Sequence, residues 1–175
     1  LSDTVSLEGD KSHTIVDLIV YDSTTSDEKI KVEIDHLVIL AAEEGSLLIS
    51  EALVYNNSGD KTYIGDEDGQ SGSIQTLRIS LPDGFYDLEY GRGLMDCCVS
   101  QIKDGIADSM DLKPGSRTIV IRYKLDYSSG RYLLSKILNY ATVNLYVLAP
   151  EGLTASSASM VLQGPVEIEG RSYTT

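Results

Sequence analysis

The sequence predicts an all-β protein, a single antiparallel β-sandwich of about ten strands, immunoglobulin- or transthyretin-like in style. Three observations predict it. Runs that alternate apolar and polar residues recur along the chain, and Arg117-Thr118-Ile119-Val120-Ile121-Arg122-Tyr123-Lys124 shows the pattern best. Clusters of Gly, Asp, Asn, Ser and Pro punctuate the runs, as Leu112-Lys113-Pro114-Gly115 does directly before that one. The 175 residues hold no solenoid repeat and no linker that forces a split, so 1–175 reads as one domain.

Taken in order, residues 1–13 form a polar lead-in. Thr14–Tyr21 reads as a first strand, with Ile15, Val16, Leu18, Ile19 and Val20 apolar. Lys31–Leu40 alternates, placing Val32, Ile34, His36 and Val38 on one face and Lys31, Glu33 and Asp35 on the other. After the acidic turn 41–45, Ser46–Asn56 is a long strand. Asn56-Asn57-Ser58-Gly59-Asp60 breaks it and opens a long acidic loop over 57–73. Ile74–Leu81, Phe85–Tyr90 and Cys97–Lys103 follow as strands, and Asp104-Gly105 is a hairpin turn. Residues 117–124 are the strongest strand. Tyr132–Tyr140 fits both a helix face and a strand, and its β neighbours favour strand. Thr142–Ala149 is strand, with Ser159–Leu162 and Val166–Ile168 as a terminal pair.

Bulk composition excludes some functions. The net charge of −13 repels phosphate backbones and anionic lipid surfaces, which argues against nucleic-acid and membrane-surface binding. No apolar run approaches the roughly 20 residues of a membrane helix. Eleven Tyr stand beside one Phe and no Trp. Tyr suits half-buried strand positions and contact surfaces alike, because its ring packs while its hydroxyl reaches water. The expected binding face carries Tyr55, Tyr63, Tyr86 and Tyr90, near the acidic loop.

Candidate chemistry is sparse. Cys97 and Cys98 are adjacent; on a strand their side chains point to opposite faces, which reads as two structural thiols without a disulfide. His13 and His36 are the only histidines, and His36 on an apolar face reads as a core residue. No Cys-x-x-Cys and no Gly-x-Ser-x-Gly occurs. The acidic loop residues Asp60, Asp66, Glu67 and Asp68 are the candidate metal ligands, with Ca²⁺ the possible ion, although the spacing is not that of an EF-hand. Asp83, Asp87 and Glu89 could form a carboxylate pair, with a solvated strand face as the plainer reading.

Three stretches, taken together, resemble a known group. They are Ser50-Glu51-Ala52-Leu53-Val54-Tyr55-Asn56-Asn57 with Lys61-Thr62-Tyr63-Ile64-Gly65, then Leu77-Arg78-Ile79-Ser80-Leu81-Pro82-Asp83-Gly84, then Leu112-Lys113-Pro114-Gly115 before Ile119-Val120-Ile121-Arg122-Tyr123. The order resembles uncharacterised prokaryotic extracytoplasmic β-sandwich domains that accompany carboxypeptidase-regulatory-like (transthyretin-like) modules in envelope proteins. The resemblance implies a secreted, periplasmic or cell-surface domain that is not an enzyme. The expected function is binding or assembly, recognising a protein or glycan partner of the cell envelope without a cofactor. Two alternatives come from other classes: a carbohydrate-binding module with a structural calcium ion in the acidic loop, and a carboxylate-pair hydrolase.

Overall fold

The longest alternating runs pair with one another and set the architecture. A computed structural model of the chain describes residues 18–43, 45–67, 72–168 and 170–175, so the 1–13 lead-in, His13 and Asp68 lie outside the described residues. The strands are β1 (Ser23–Thr24), β2 (Ile30–Glu43), β3 (Ser46–Asn57), β4 (Thr62–Tyr63), β5 (Asp66–Glu67), β6 (Ile74–Gln75), β7 (Leu77–Ser80), β8 (Tyr86–Tyr90), β9 (Val99–Ile102), β10 (Gly105–Asp108), β11 (Gly115–Asp126), β12 (Ala141–Pro150), β13 (Val166–Ile168) and β14 (Arg171–Thr174). There is no helix among the described residues, and the fold is a β-sandwich. Fourteen strands replace the expected ten or so because four of them are two-residue ladders.

A seven-stranded sheet in the order β13-β14-β12-β2-β3-β11-β8 forms one layer, and β7-β10-β9 forms the other. The core lies between them. Ile49, Leu53, Tyr55, Ile119, Ile121 and Tyr123 of the large sheet share one buried cluster with Leu77, Ile79 and Ile106 of the small one. The sheets are mostly antiparallel, but β12 runs parallel to β2. Because β11 and β12 point the same way on opposite sides of β2 and β3, the chain between them must cross the sheet.

That crossover, residues 127–140, contains the segment read as a strand, and the structure corrects the reading. It is neither strand nor helix. Its alternation is real: Tyr132, Leu134 and Lys136 turn inward while Leu133 and Ile137 stay exposed. What it lacks is a backbone ladder. Instead its side chains bond the free edge of β7: Ser80 N–H donates to Asn139 Oδ1 at 2.8 Å, and Arg78 N–H donates to the Tyr140 hydroxyl at 3.3 Å.

Other boundaries also move. Of Thr14–Tyr21, the described residues 18–21 carry no strand, and Leu18, Ile19 and Val20 are exposed. Residues 159–162 form no strand, since β13 pairs with β14 instead. The 57–73 loop holds, in its described residues, two short strands, β4 parallel to β1 and β5 antiparallel to β6. Asn57 starts it: the buried side-chain amide donates to the carbonyls of Lys61 at 2.8 Å and Leu112 at 2.9 Å, and its Oδ1 accepts from Gly59 N–H at 3.0 Å. Asn57→Ala strands those groups, so the expected loss is about 1–3 kcal/mol in a urea-denaturation midpoint.

Candidate functional site

The site is built by three strands, one of them bulged, and the crossover. Along β3, burial alternates without a break, and Leu47, Ile49, Glu51, Leu53, Tyr55 and Asn57 all face inward. Period two therefore forces Glu51 into the core. On β11 the same face carries Ile119, Ile121, Tyr123 and Leu125. Tyr123 hydroxyl donates to Glu51 Oε2 at 2.8 Å. The crossover supplies the counter-charge: Lys136 Nζ donates to Glu51 Oε1 at 2.6 Å and to the Ser80 carbonyl at 2.8 Å. Glu51 is fully buried and the Lys136 side chain 7% exposed, so the ion pair lies in the interior.

Strand β2 adds a second acid. Its pairing with β3 slips between Val32 and Ile34, a β-bulge that gives β2 one extra residue. The inward set is Ile30 and Val32 before the bulge, then Asp35 and Leu37 after it. The expected faces are thus exchanged from residue 34 onward. Asp35 is fully buried, and His36 turns outward against Tyr146 of β12, ring centroids 5.1 Å apart. Neither carboxylate oxygen of Asp35 has a hydrogen-bond partner. Burial, with the Glu51 charge nearby and Lys136 opposing, pushes the Asp35 carboxyl up to about 7 from the ordinary 3.8.

Asp35, Lys136, Tyr55 and Tyr140 line a cavity of about 10 Å³, space on the scale of one water. Tyr55 and Tyr140 meet edge to face with centroids 5.6 Å apart. Desolvation raises both phenols, and Tyr123 as well, so all three stay neutral donors. That lining brings the unpartnered carboxyl of Asp35 together with one amine and two phenols. The space is far below the roughly 300 Å³ at which small-molecule pockets begin.

A second buried pair ties the two layers together. Arg117 of β11 donates to Asp108 Oδ2 of β10 at 2.6 Å, to the Gly93 carbonyl and to the Met110 carbonyl. Asp108 is fully buried, which raises its carboxyl while Arg117 opposes the rise. Gly93 sits at φ +83°, and a Cβ there would strike the Thr118 carbonyl oxygen, so only glycine lets this loop lie flat on β11.

The residues expected to form a binding face do not share one. Tyr55 and Tyr63 are buried in the core, whereas Tyr86 is exposed and Tyr90 half-buried on edge strand β8. Asp60, Asp66 and Glu67 are exposed, and no three His, Cys, Asp or Glu among the described residues are grouped to hold a metal ion. Asp87, at φ +50° beside an irregularity in the β8–β11 pairing, bonds Lys124 at 2.8 Å in solvent. Cys97 and Cys98 depart furthest from expectation. Cys97 is exposed and Cys98 half-exposed, and their sulfurs converge to 2.8 Å instead of pointing apart.

Glu51 was missed by sequence reasoning although a signal existed, an acid at an apolar phase of a long alternating run. Lys136 had a weaker one, on the inward phase of Tyr132 and Leu134. Asp35 had none, because its phase is reversed by the bulge. No family model matches the chain, and no curated protein matches it.

Proposed function

We propose that this chain is a non-catalytic binding or assembly domain of the cell envelope, acting outside the cytoplasm on a protein partner. The observation that carries the reading is apolar surface gathered at one end of the large sheet. Edge strand β13 exposes all three of its residues, Val166 and Ile168 among them. Its outer ladder groups face no other strand among the described residues. Nearby in the chain, Met160, Val161 and Leu162 are exposed, Val161 at 82%. Met160 and Val161 share a cavity of about 190 Å³ with Leu145, Tyr146 and Val147 of β12. An apolar cleft together with an open strand edge suits an extended peptide that adds a strand and seats a side chain in the cleft. Placement in the envelope rests on the resemblance of the strand-and-turn motifs. The buried Asp35–Glu51–Lys136 cluster is then part of the scaffold.

Photo-crosslinking amino acids placed singly at Val161, Ile168 and Tyr86 test the reading in cells producing the full protein. The expected result is one discrete protein adduct from Val161 and Ile168, lost when Val166→Lys is added. Adducts confined to Tyr86 would move the contact to the opposite edge and overturn the proposal. No discrete adduct at any of the three positions would also overturn it.

A further inference from the structure

The vicinal thiols lie in a turn, which is why they meet. Cys98 N–H donates to the Met95 carbonyl at 2.8 Å, closing a turn over residues 95–98 just before β9 begins. Adjacent side chains point to opposite faces on an extended strand, a constraint the turn removes. The two Sγ atoms are 2.8 Å apart, and a disulfide needs about 2.05 Å, so closure asks for less than about 1 Å of travel. On the far side, the Cys98 carbonyl is held by Ser109 N–H at 2.9 Å and by the Ser109 hydroxyl at 3.1 Å. The corner is therefore anchored while the sulfurs stay accessible. Each of the two cysteines of these 175 residues has the other as its neighbouring resolving thiol.

We propose that Cys97 and Cys98 form a two-electron redox site that closes reversibly to a vicinal disulfide by exchange with small-molecule or protein disulfides. The exposed Cys97 thiolate attacks the incoming disulfide, forms a mixed disulfide and releases one thiolate. Cys98 thiolate then attacks Cys97 Sγ and releases the second. The protein gives up two electrons and two protons, and the incoming disulfide ends as two thiols. The hydrogen bond to Cys97 holds the Cys98 thiol above its ordinary range, so the resolving attack by Cys98 quickens as pH rises.

The test uses the folded protein, equilibrated without oxygen in glutathione buffers of graded ratio, then trapped with iodoacetamide and weighed intact. The expected species at oxidising ratios is a monomer two hydrogens lighter that takes up no alkylating agent. Dithiothreitol should return it to the doubly alkylated form. Closure is expected at a more reducing ratio than for the same chain in guanidinium chloride, because the turn preorganises the sulfurs. Cys97→Ser and Cys98→Ser should each stop at a glutathione adduct. A wild-type protein that accumulates glutathione adducts or covalent dimers overturns the proposal. So does one that stays doubly alkylated at every ratio, or closes no more readily folded than unfolded.

Discussion

Replacing Lys136 with methionine is expected to destabilise the protein by about 3–5 kcal/mol. The substitution keeps an unbranched apolar stem, one atom shorter, and removes the ammonium group. Glu51 then stays buried with only the Tyr123 hydroxyl as a partner, and the Ser80 carbonyl loses its donor. An uncompensated interior carboxylate is the costly state, more so than the absence of the pair. The double variant Lys136→Met with Glu51→Gln should therefore recover much of the loss, since a neutral amide still accepts from Tyr123. Urea-denaturation midpoints of the two single variants, the double variant and the wild type form the cycle that measures this. A Lys136→Met cost under about 1 kcal/mol would mean the pair is solvated and behaves like a surface bridge.

Asp35→Asn is expected to change the pH dependence of stability more than stability itself at low pH. The folded protein holds the Asp35 proton up to about pH 7, while the unfolded chain releases it near the ordinary 3.8. Below that lower value both states are protonated and the group costs nothing. As pH rises from 3.8 toward 7 the unfolded state alone gains by ionising, so the contribution of Asp35 falls and then levels off. A shift of this size corresponds to a loss on the order of 4 kcal/mol across the window. Asp108 is raised in the same sense, and Glu33 is lowered by Lys31 and Asn56, so the raw curve mixes several groups. The difference between wild type and Asp35→Asn isolates one. It should be small at pH 4 and should favour the variant by several kcal/mol at pH 8, roughly the full linkage term. Equal midpoints at pH 8 would show that Asp35 is ionised in the fold at little cost.

Much of the fold was legible because alternation and turn chemistry act over a few residues. The pleat alone makes 117–124 a strand, and Pro114-Gly115 places its start. The hairpin after β9 was legible for the same reason, one residue off: the turn is Lys103-Asp104, and Gly105, expected in the turn, already pairs with Ile102. The crossover was half legible. Its inward residues repeat at period two, but whether such a segment earns a ladder depends on a neighbouring strand edge, and there side chains occupied it. The binding-face reading of Tyr55 and Tyr63 failed on a similar point. Tyrosine suits both core and surface, and only the second layer decides which.

By itself, then, the sequence determined an all-β chain, the positions of its long strands and the inward phase of Glu51 on β3. Those follow from a two-residue period set by local backbone geometry. Tertiary structure alone decided that Asp35, and not His36, faces the core, because a bulge exists only relative to the strand it mispairs with. It alone decided that Lys136 reaches Glu51, 85 residues away in the chain, because the crossover is dictated by where β12 finds room beside β2. It also anchored the corner where Cys97 and Cys98 converge, since Ser109, eleven residues further on, holds the Cys98 carbonyl.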